Sequence, residues 1–281
     1  MENILSVLNK TAAFLQKHGV PNAKLDSQYL LSHGLGIKRM DLFLSFDRPL
    51  QEKELATLRP MVARRAKREP LQHILGSTSF RGHEIKCDKR ALIPRQETEL
   101  MVDALGSRWS EGQVLDVGTG SGAIAIAVAL ELGAKVLACD VSEDALSLAK
   151  ENVALHNLED KITLVCSDLL SALPSGSKFT ALLANLPYIP LADAPTLQPE
   201  VLNGDPHLAL FSGDGLELIR KLLNTCADYL SPNAPVILEI ASGQEKVLQS
   251  ENFPKLEFIE TIKDYNGQTR FVIFKLPSAS F

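Results

Sequence analysis

Three glycines spaced one residue apart, Gly118, Gly120 and Gly122, separate a short apolar run from a long alanine-rich one. The stretch 113–128 reads Gln-Val-Leu-Asp-Val-Gly-Thr-Gly-Ser-Gly-Ala-Ile-Ala-Ile-Ala-Val. Val114, Leu115 and Val117 predict a buried strand, the glycines a tight turn, and the run from Ala123 a helix packed close to the sheet. Glycine lets the backbone turn sharply and lets a ligand approach the main chain. The free N–H groups and positive dipole end of the following helix point at whatever sits there. Asp116, just before the turn, can accept from an amine or position a water. The next strand, 135–140, ends in Asp140, about 20 residues on, the usual place for a carboxylate that grips a ribose diol. The pattern therefore predicts a nucleoside-bearing cofactor cradled by Gly118, Thr119, Gly120, Ser121 and Gly122 and held by Asp140. Gly118, Gly120 and Ala123 also fit dinucleotide spacing, so NAD and S-adenosylmethionine both stay open here.

From residue 113 onward, strands (113–117, 135–140, 162–167, 179–184, 235–240) alternate with helices (121–132, 142–154, 214–230, 243–251). That alternation predicts a parallel sheet with helices on both faces. Two further strands, 256–262 and 269–275, flank Asn266-Gly267, a hairpin signal, so the sheet should end in an antiparallel pair. Residues 1–75 carry helical periodicity only: 4–15, 26–35 stopping at Gly34, 39–46, and 51–68. In the second helix Tyr29, Leu30 and Leu31 are expected inward. The basic run 64–68 reads most simply as a solvated helix end. Residues 76–95 read as a hairpin connector, and 96–281 as the catalytic domain. The fold class is thus α/β, a doubly wound, mostly parallel seven-stranded sheet with an antiparallel C-terminal hairpin, plus a small all-helical N-terminal domain.

Ligands of such sheets sit beyond the carboxyl ends of the strands, at the switch point. Asp168 stands there, placed to accept from an exocyclic amine, and Leu169 could line a base plane. The fourth strand of the alternating series runs into Asn185-Leu-Pro-Tyr188. Pro187 biases Leu186 away from helix, which would point the Leu186 carbonyl into the pocket beside Asn185 Oδ1. Two adjacent acceptors are what an –NH₂ group needs. Tyr188 would give a flat wall to a planar amide or base.

Composition narrows the alternatives. A net charge of −5 over 281 residues gives no global field to pull the chain onto nucleic acid. The four cysteines are scattered, and Cys139 and Cys166 lie in apolar runs that predict buried free thiols. No metal site is legible. No apolar run approaches ~20 residues, and the first residues lack a signal pattern, so no membrane span and a cytoplasmic location are expected.

Together the Gly-x-Gly-x-Gly turn, Asp140, Ser167-Asp168 and Asn185-Leu-Pro-Tyr188 resemble the class I S-adenosylmethionine-dependent amino-methyltransferases. More narrowly, the chain resembles the protein-(glutamine-N5) methyltransferases of peptide chain release factors over nearly its whole length. The specific parts are Pro70-Leu-Gln-His-Ile-Leu-Gly and Leu92-Ile-Pro-Arg-Gln-Glu-Thr-Glu. Asp26-Ser-Gln-Tyr-Leu-Leu, Phe80-Arg-Gly, Leu238-Glu-Ile and Asp264 through Arg270 add to it. The family usually has proline where Leu186 and Gln96 stand, and Glu-Pro where Asp205-Pro206 stands. The resemblance implies a Rossmann-like methyltransferase fold and S-adenosyl-L-methionine as cofactor. Asn185 and the Leu186 carbonyl would hold the glutamine of a Gly-Gly-Gln loop, aided by Pro187 and Tyr188, while the N-terminal domain grips the release factor. A monomer without stable nucleic acid binding is expected. An adenine-N6 methyltransferase of RNA or DNA is the alternative, because an adenine amine offers the same –NH₂ geometry. An NAD-dependent oxidoreductase or a nucleotide-binding regulator is weaker, since the one hydride-transfer partner legible beside Asn185 is Tyr188, which the amide reading already uses.

Overall fold

The computed structural model describes residues 2–278. The chain forms two compact units: residues up to Ser77 together with Gln198–Gly204, and Thr78–Leu197 together with the chain from Asp205.

The first unit is helical, with helices Ile4–Lys17, Ala23–Leu35, Arg39–Leu44, Glu52–Ala66, Leu71–Leu75 and Pro199–Gly204. Asn3 caps the first, its side chain accepting from the Ser6 N–H at 2.9 Å. Apolar stripes make two small cores, one around Ile4, Leu31, Leu42 and Leu58, the other around Leu15, Leu30, Met61 and Ile74. Gly34 does not stop the second helix, which ends at Gly36 in the left-handed region, φ 65°. A Cβ on Gly34 would lie 2.5 Å from Leu58 Cδ2, so this glycine lets the helix Glu52–Ala66 pack close. Tyr29 faces outward, 37% exposed, because the stripe turns through Leu30 and Leu31 alone.

The basic run is a solvated helix end only at Arg64 and Lys67, which are exposed. Arg65 is 5% exposed and its guanidinium reaches Asp26 at 2.7 Å and Glu200 at 2.9 Å. Arg68 donates twice to Glu200, at 2.6 Å each. Periodicity within one helix cannot register a counter-charge more than a hundred residues away.

A two-stranded piece, β1 (Ser77–Phe80) and β2 (His83–Lys86), follows, and from Thr78 on it belongs to the second unit. Seven strands then build the main sheet: β3 (Gln113–Val117), β4 (Lys135–Asp140), β5 (Ile162–Cys166), β6 (Ala181–Ala184), β7 (Pro235–Glu239), β8 (Glu257–Lys263) and β9 (Thr269–Lys275). Their order is β5-β4-β3-β6-β7-β9-β8. The first five are parallel, while β9 runs antiparallel to β7 and to β8. The central strands β6 and β7 are buried along their whole length, as sheets covered on both faces require. The β8–β9 turn carries Gly267 at φ 78° and is held by Asp264 Oδ1, which accepts from the Asn266 and Gln268 N–H groups.

Chain order moves outward from β3 to β5, then returns to the other side of β3 as β6, so the switch point lies between β3 and β6. Register there is decisive. Val117 pairs with Ala184, so the next residues, Gly118 and Asn185, leave the sheet side by side.

Two local expectations fail. The helix over 214–230 is split, with Glu217–Thr225 followed by a 3-10 turn Cys226–Tyr229. Cys166 is exposed while Cys139 is buried, because Cys166 ends the edge strand β5 whereas Cys139 lies within β4. Among the described residues no helix is long and apolar enough to cross a membrane.

Candidate active site

A cavity of about 280 Å³ opens at the switch point. One wall is the glycine turn. Gly118, Gly120 and Gly122 all have positive φ, 74°, 55° and 82°. The turn is tied down by main-chain bonds: the Gly118 and Thr119 N–H groups both donate to the Cys139 carbonyl, at 2.8 and 3.0 Å, and Gly122 N–H donates to Thr119 O at 2.9 Å. Gly118 is closely enclosed as well, since a Cβ there would come within 2.9 Å of Leu186 Cδ2. Leu186, where the resembling family has proline, thus lays its side chain, 4% exposed, over the glycine turn.

Asp140 sits on this wall with both oxygens engaged. Oδ2 accepts from Gly120 N–H at 2.8 Å and Oδ1 from Ser142 N–H at 2.9 Å. Each carboxylate oxygen keeps a second lone pair, so acceptor capacity toward the cavity remains. Beyond β5, Asp168 Oδ2 accepts from Lys221 Nζ at 2.8 Å. Both side chains are more than half exposed, so this pair contributes little. Leu169 holds φ 50°, a left-handed conformation costing about 1–2 kcal/mol for a residue with a Cβ. Strain of this kind concentrates at ligand sites.

Asn185, Leu186 and Pro187 form the facing wall. Asn185 Nδ2 donates to Thr98 Oγ1 at 3.2 Å, and Thr98 Oγ1 donates to Glu239 Oε2 at 2.6 Å. The Leu186 carbonyl accepts no hydrogen bond from the described residues.

Of the residues expected at the site, three stand off the cavity wall. Gly122 lies beneath the turn, against Ala149. Asp116 is fully buried behind it, with Oδ2 accepting from the Thr119 hydroxyl at 2.6 Å and Oδ1 without a partner among the described residues. Burial pushes its carboxyl up to about 7, and the charge of Asp140 adds to the rise. Tyr188 packs half-buried on the core, its hydroxyl donating to Glu239 Oε1 at 3.2 Å; it is a strut for the corner and not a face of the cavity. Burial and the Glu239 carboxylate both raise its phenol. Thr119, Ser121, Asp140, Asp168 and Leu169 line the cavity as the strand-end argument requires.

Sequence reasoning gave no role to four residues that hold the site. Thr98 accepts from Asn185 Nδ2 and donates to Glu239. Asn152, fully buried, donates to Ser121 O at 2.9 Å and exchanges hydrogen bonds with the Lys86 main chain, tying the turn to β2. Asp205 accepts from Ile93 N–H at 3.1 Å and from the Arg95 guanidinium, fixing the stretch whose Leu92 and Pro94 line the cavity. Asp205 replaces the family's glutamate, and that departure from the motif was its one visible signal.

A glycine turn at the β3/β6 switch point and a sheet closed by an antiparallel pair define a methyltransferase. The family model "Methyltransferase small domain" matches residues 95–198, and "PrmC N-terminal domain" matches residues 6–76. The solved hMettl16 catalytic domain, in complex with MAT2A 3′UTR hairpin 6, shares the fold with a TM-score of 0.57 at 18% identity, covering 84% of this chain and 95% of that one. The release factor glutamine methyltransferase of Geobacter sulfurreducens is 40% identical, covering 96% of this chain and 95% of its own length. That of Fusobacterium nucleatum is 37% identical, covering 98% and 79%. The chain belongs to the release factor glutamine methyltransferase family.

Proposed function

We propose that the cavity binds S-adenosyl-L-methionine and that the enzyme methylates the side-chain amide nitrogen of the glutamine in the Gly-Gly-Gln loop of release factors. The cavity residues fit such a cofactor. A Cβ at Gly118 would crowd the turn, Asp140 keeps free lone pairs where a ribose would lie, and Leu169 and Asp168 stand where a base and its amine would lie. Bound there, the cofactor supplies an electrophilic methyl on a sulfonium.

The protein's own task is to hold a poor nucleophile still. Asn185 Oδ1 and the Leu186 carbonyl accept the two N–H groups of the substrate amide. That pairing fixes the plane of the nitrogen and favours the positive charge that grows on it in the transition state. Alignment at near-contact distance adds a proximity effect. No protein base is needed, because an N-alkylated amidium gives its proton to water. Tyr188 and Pro187 brace the corner. The helical unit grips the body of the factor, and the enzyme works as a cytoplasmic monomer.

One observation carries the reading most: Asn185 leaves the sheet beside Gly118 and spends its –NH₂ on Thr98, while neither its Oδ1 nor the Leu186 carbonyl accepts a hydrogen bond from the described residues. Incubation of the enzyme and labelled cofactor with purified release factor should label the factor, and no label should enter a factor whose loop glutamine is replaced. Label that enters RNA or DNA instead would move the assignment to an adenine amine.

A further inference from the structure

We propose that Glu239, acting through Thr98, is a positioning residue that makes Asn185 show the cavity its oxygen and not its –NH₂ group. The inference rests on the amide-binding reading of Asn185 given above and adds the device that sets its orientation.

A hydroxyl has one proton. Thr98 Oγ1 lies 2.6 Å from Glu239 Oε2 and 3.2 Å from Asn185 Nδ2. An ionised carboxylate only accepts, so the Thr98 proton goes to Glu239. The Thr98 oxygen then has only lone pairs to offer, and Asn185 must meet it with Nδ2. Turning the amide over would set two acceptors against each other. The other oxygen of Glu239 takes the Tyr188 hydroxyl, so the carboxylate is satisfied on both sides. Glu239 and Thr98 are 2% and 4% exposed, which keeps bulk water from substituting for either partner.

A neutral carboxyl reverses the logic. Its proton on Oε2 can be donated to Thr98, whose own proton then points at Asn185. Asn185 answers with Oδ1, and the –NH₂ swings into the cavity, where it opposes a substrate N–H. The groups facing Glu239 pull in both directions. Burial pushes its carboxyl up to about 7, while Thr98, Tyr188 and Arg270 favour the anion and Glu97 opposes it. The orientation that accepts an amide therefore prevails above about pH 7.

The test uses the full chain with S-adenosylmethionine and purified release factor. Thr98→Val should lower kcat about tenfold, the worth of one misdirected hydrogen bond, with cofactor Kd held within about twofold. Thr98→Ser should recover most of the loss, which a packing role for the threonine methyl would not allow. Wild-type kcat should rise with pH through about 7. Glu239→Gln should abolish that rise, while Asp116→Asn, at the other buried carboxyl, should retain it. In ¹⁵N-labelled enzyme without substrate, the Asn185 side-chain amide signal should move over the same pH range and stay fixed in Glu239→Gln. Unchanged kcat in Thr98→Val, or a rise that survives in Glu239→Gln, overturns the proposal. If the wild type modifies no release factor, the amide-binding reading falls on its own and the ¹⁵N titration still decides whether Glu239 commands Asn185. Should Glu239→Gln not fold, the Thr98 pair and the wild-type titration decide it.

Discussion

The two walls of the cavity are built by different means. The glycine turn after β3 is held through its main-chain groups: three of its N–H groups donate to Cys139 O and Asp140 Oδ2, and Ser121 O accepts from Asn152. The corner after β6 is held by side chains from far along the chain: Thr98 and Glu239 fix Asn185, and Gln244 Nε2 donates to Tyr188 O at 3.0 Å. A wall held by backbone tolerates no change of residue at its tight points but needs few partners. A wall held by side chains can be tuned, and it fails when a distant partner is lost. On the function proposed above, the first wall faces the cofactor and the second the substrate.

That contrast is sharpest at the two neighbours Gly118 and Asn185. Asn185→Ala should lower kcat by roughly 10²–10³, the cost of losing one preorganised hydrogen-bonding group, while cofactor affinity stays near that of the wild type. Near-normal turnover would remove the corner from the chemistry. Gly118→Ala should act on folding instead. A left-handed φ for alanine and the clash with Leu186 together cost about 3 kcal/mol, read as a lower denaturant midpoint. A loss below ~1 kcal/mol would mean that the turn is softer than its hydrogen bonds imply.

Asp116 gives a pH-dependent form of the comparison. Its folded carboxyl titrates near 7, above the ordinary 3.8, so the folded state binds the extra proton. Its stabilising contribution is full below about pH 4 and is lost as pH rises through about 7. Asp116→Asn removes that slope. The stability of wild type minus variant, measured without cofactor, should therefore fall by roughly 2.5 kcal/mol between pH 5 and pH 8. A constant difference would place a donor at Oδ1. The smallest effect is expected at Asp140: Asp140→Ala should raise cofactor Kd about tenfold and alter kcat less. Unchanged affinity would reject its ribose role.

The same division explains what the sequence made legible. The glycine turn, Asp140 and the strand ends follow from local patterning, and β3 through β9 stand close to where alternation put them. The Asn185 corner was found because Asn-Leu-Pro-Tyr is short and local. Its supports were not found, because Thr98 and Glu239 lie 87 residues before and 54 residues after Asn185 and neither pattern nor propensity links them. Leu71–Leu75 and the broken segment 191–210 were missed for another reason, since elements of four to six residues are too short to show a period. Place in a motif puts Asp116 and Tyr188 at the cavity, yet Asp116 is fully buried behind the turn and the Tyr188 hydroxyl reaches the buried Glu239, orientations that spacing does not record.

The ion pairs around Arg65 bear on how this protein may be dissected. Residues 198–204 belong to the helical unit although they stand more than a hundred positions beyond its other helices. A fragment cut after Ser77 would keep Arg65 and Arg68 but lose Glu200, leaving a guanidinium shielded from solvent with Asp26 as its remaining counter-charge. Removing one member of a buried ionic group costs roughly 3–5 kcal/mol, a large share of what so small a core can supply. Isolating the helices for binding work therefore requires grafting the Pro199–Gly204 segment back on, or replacing Arg65 with an apolar residue of similar volume.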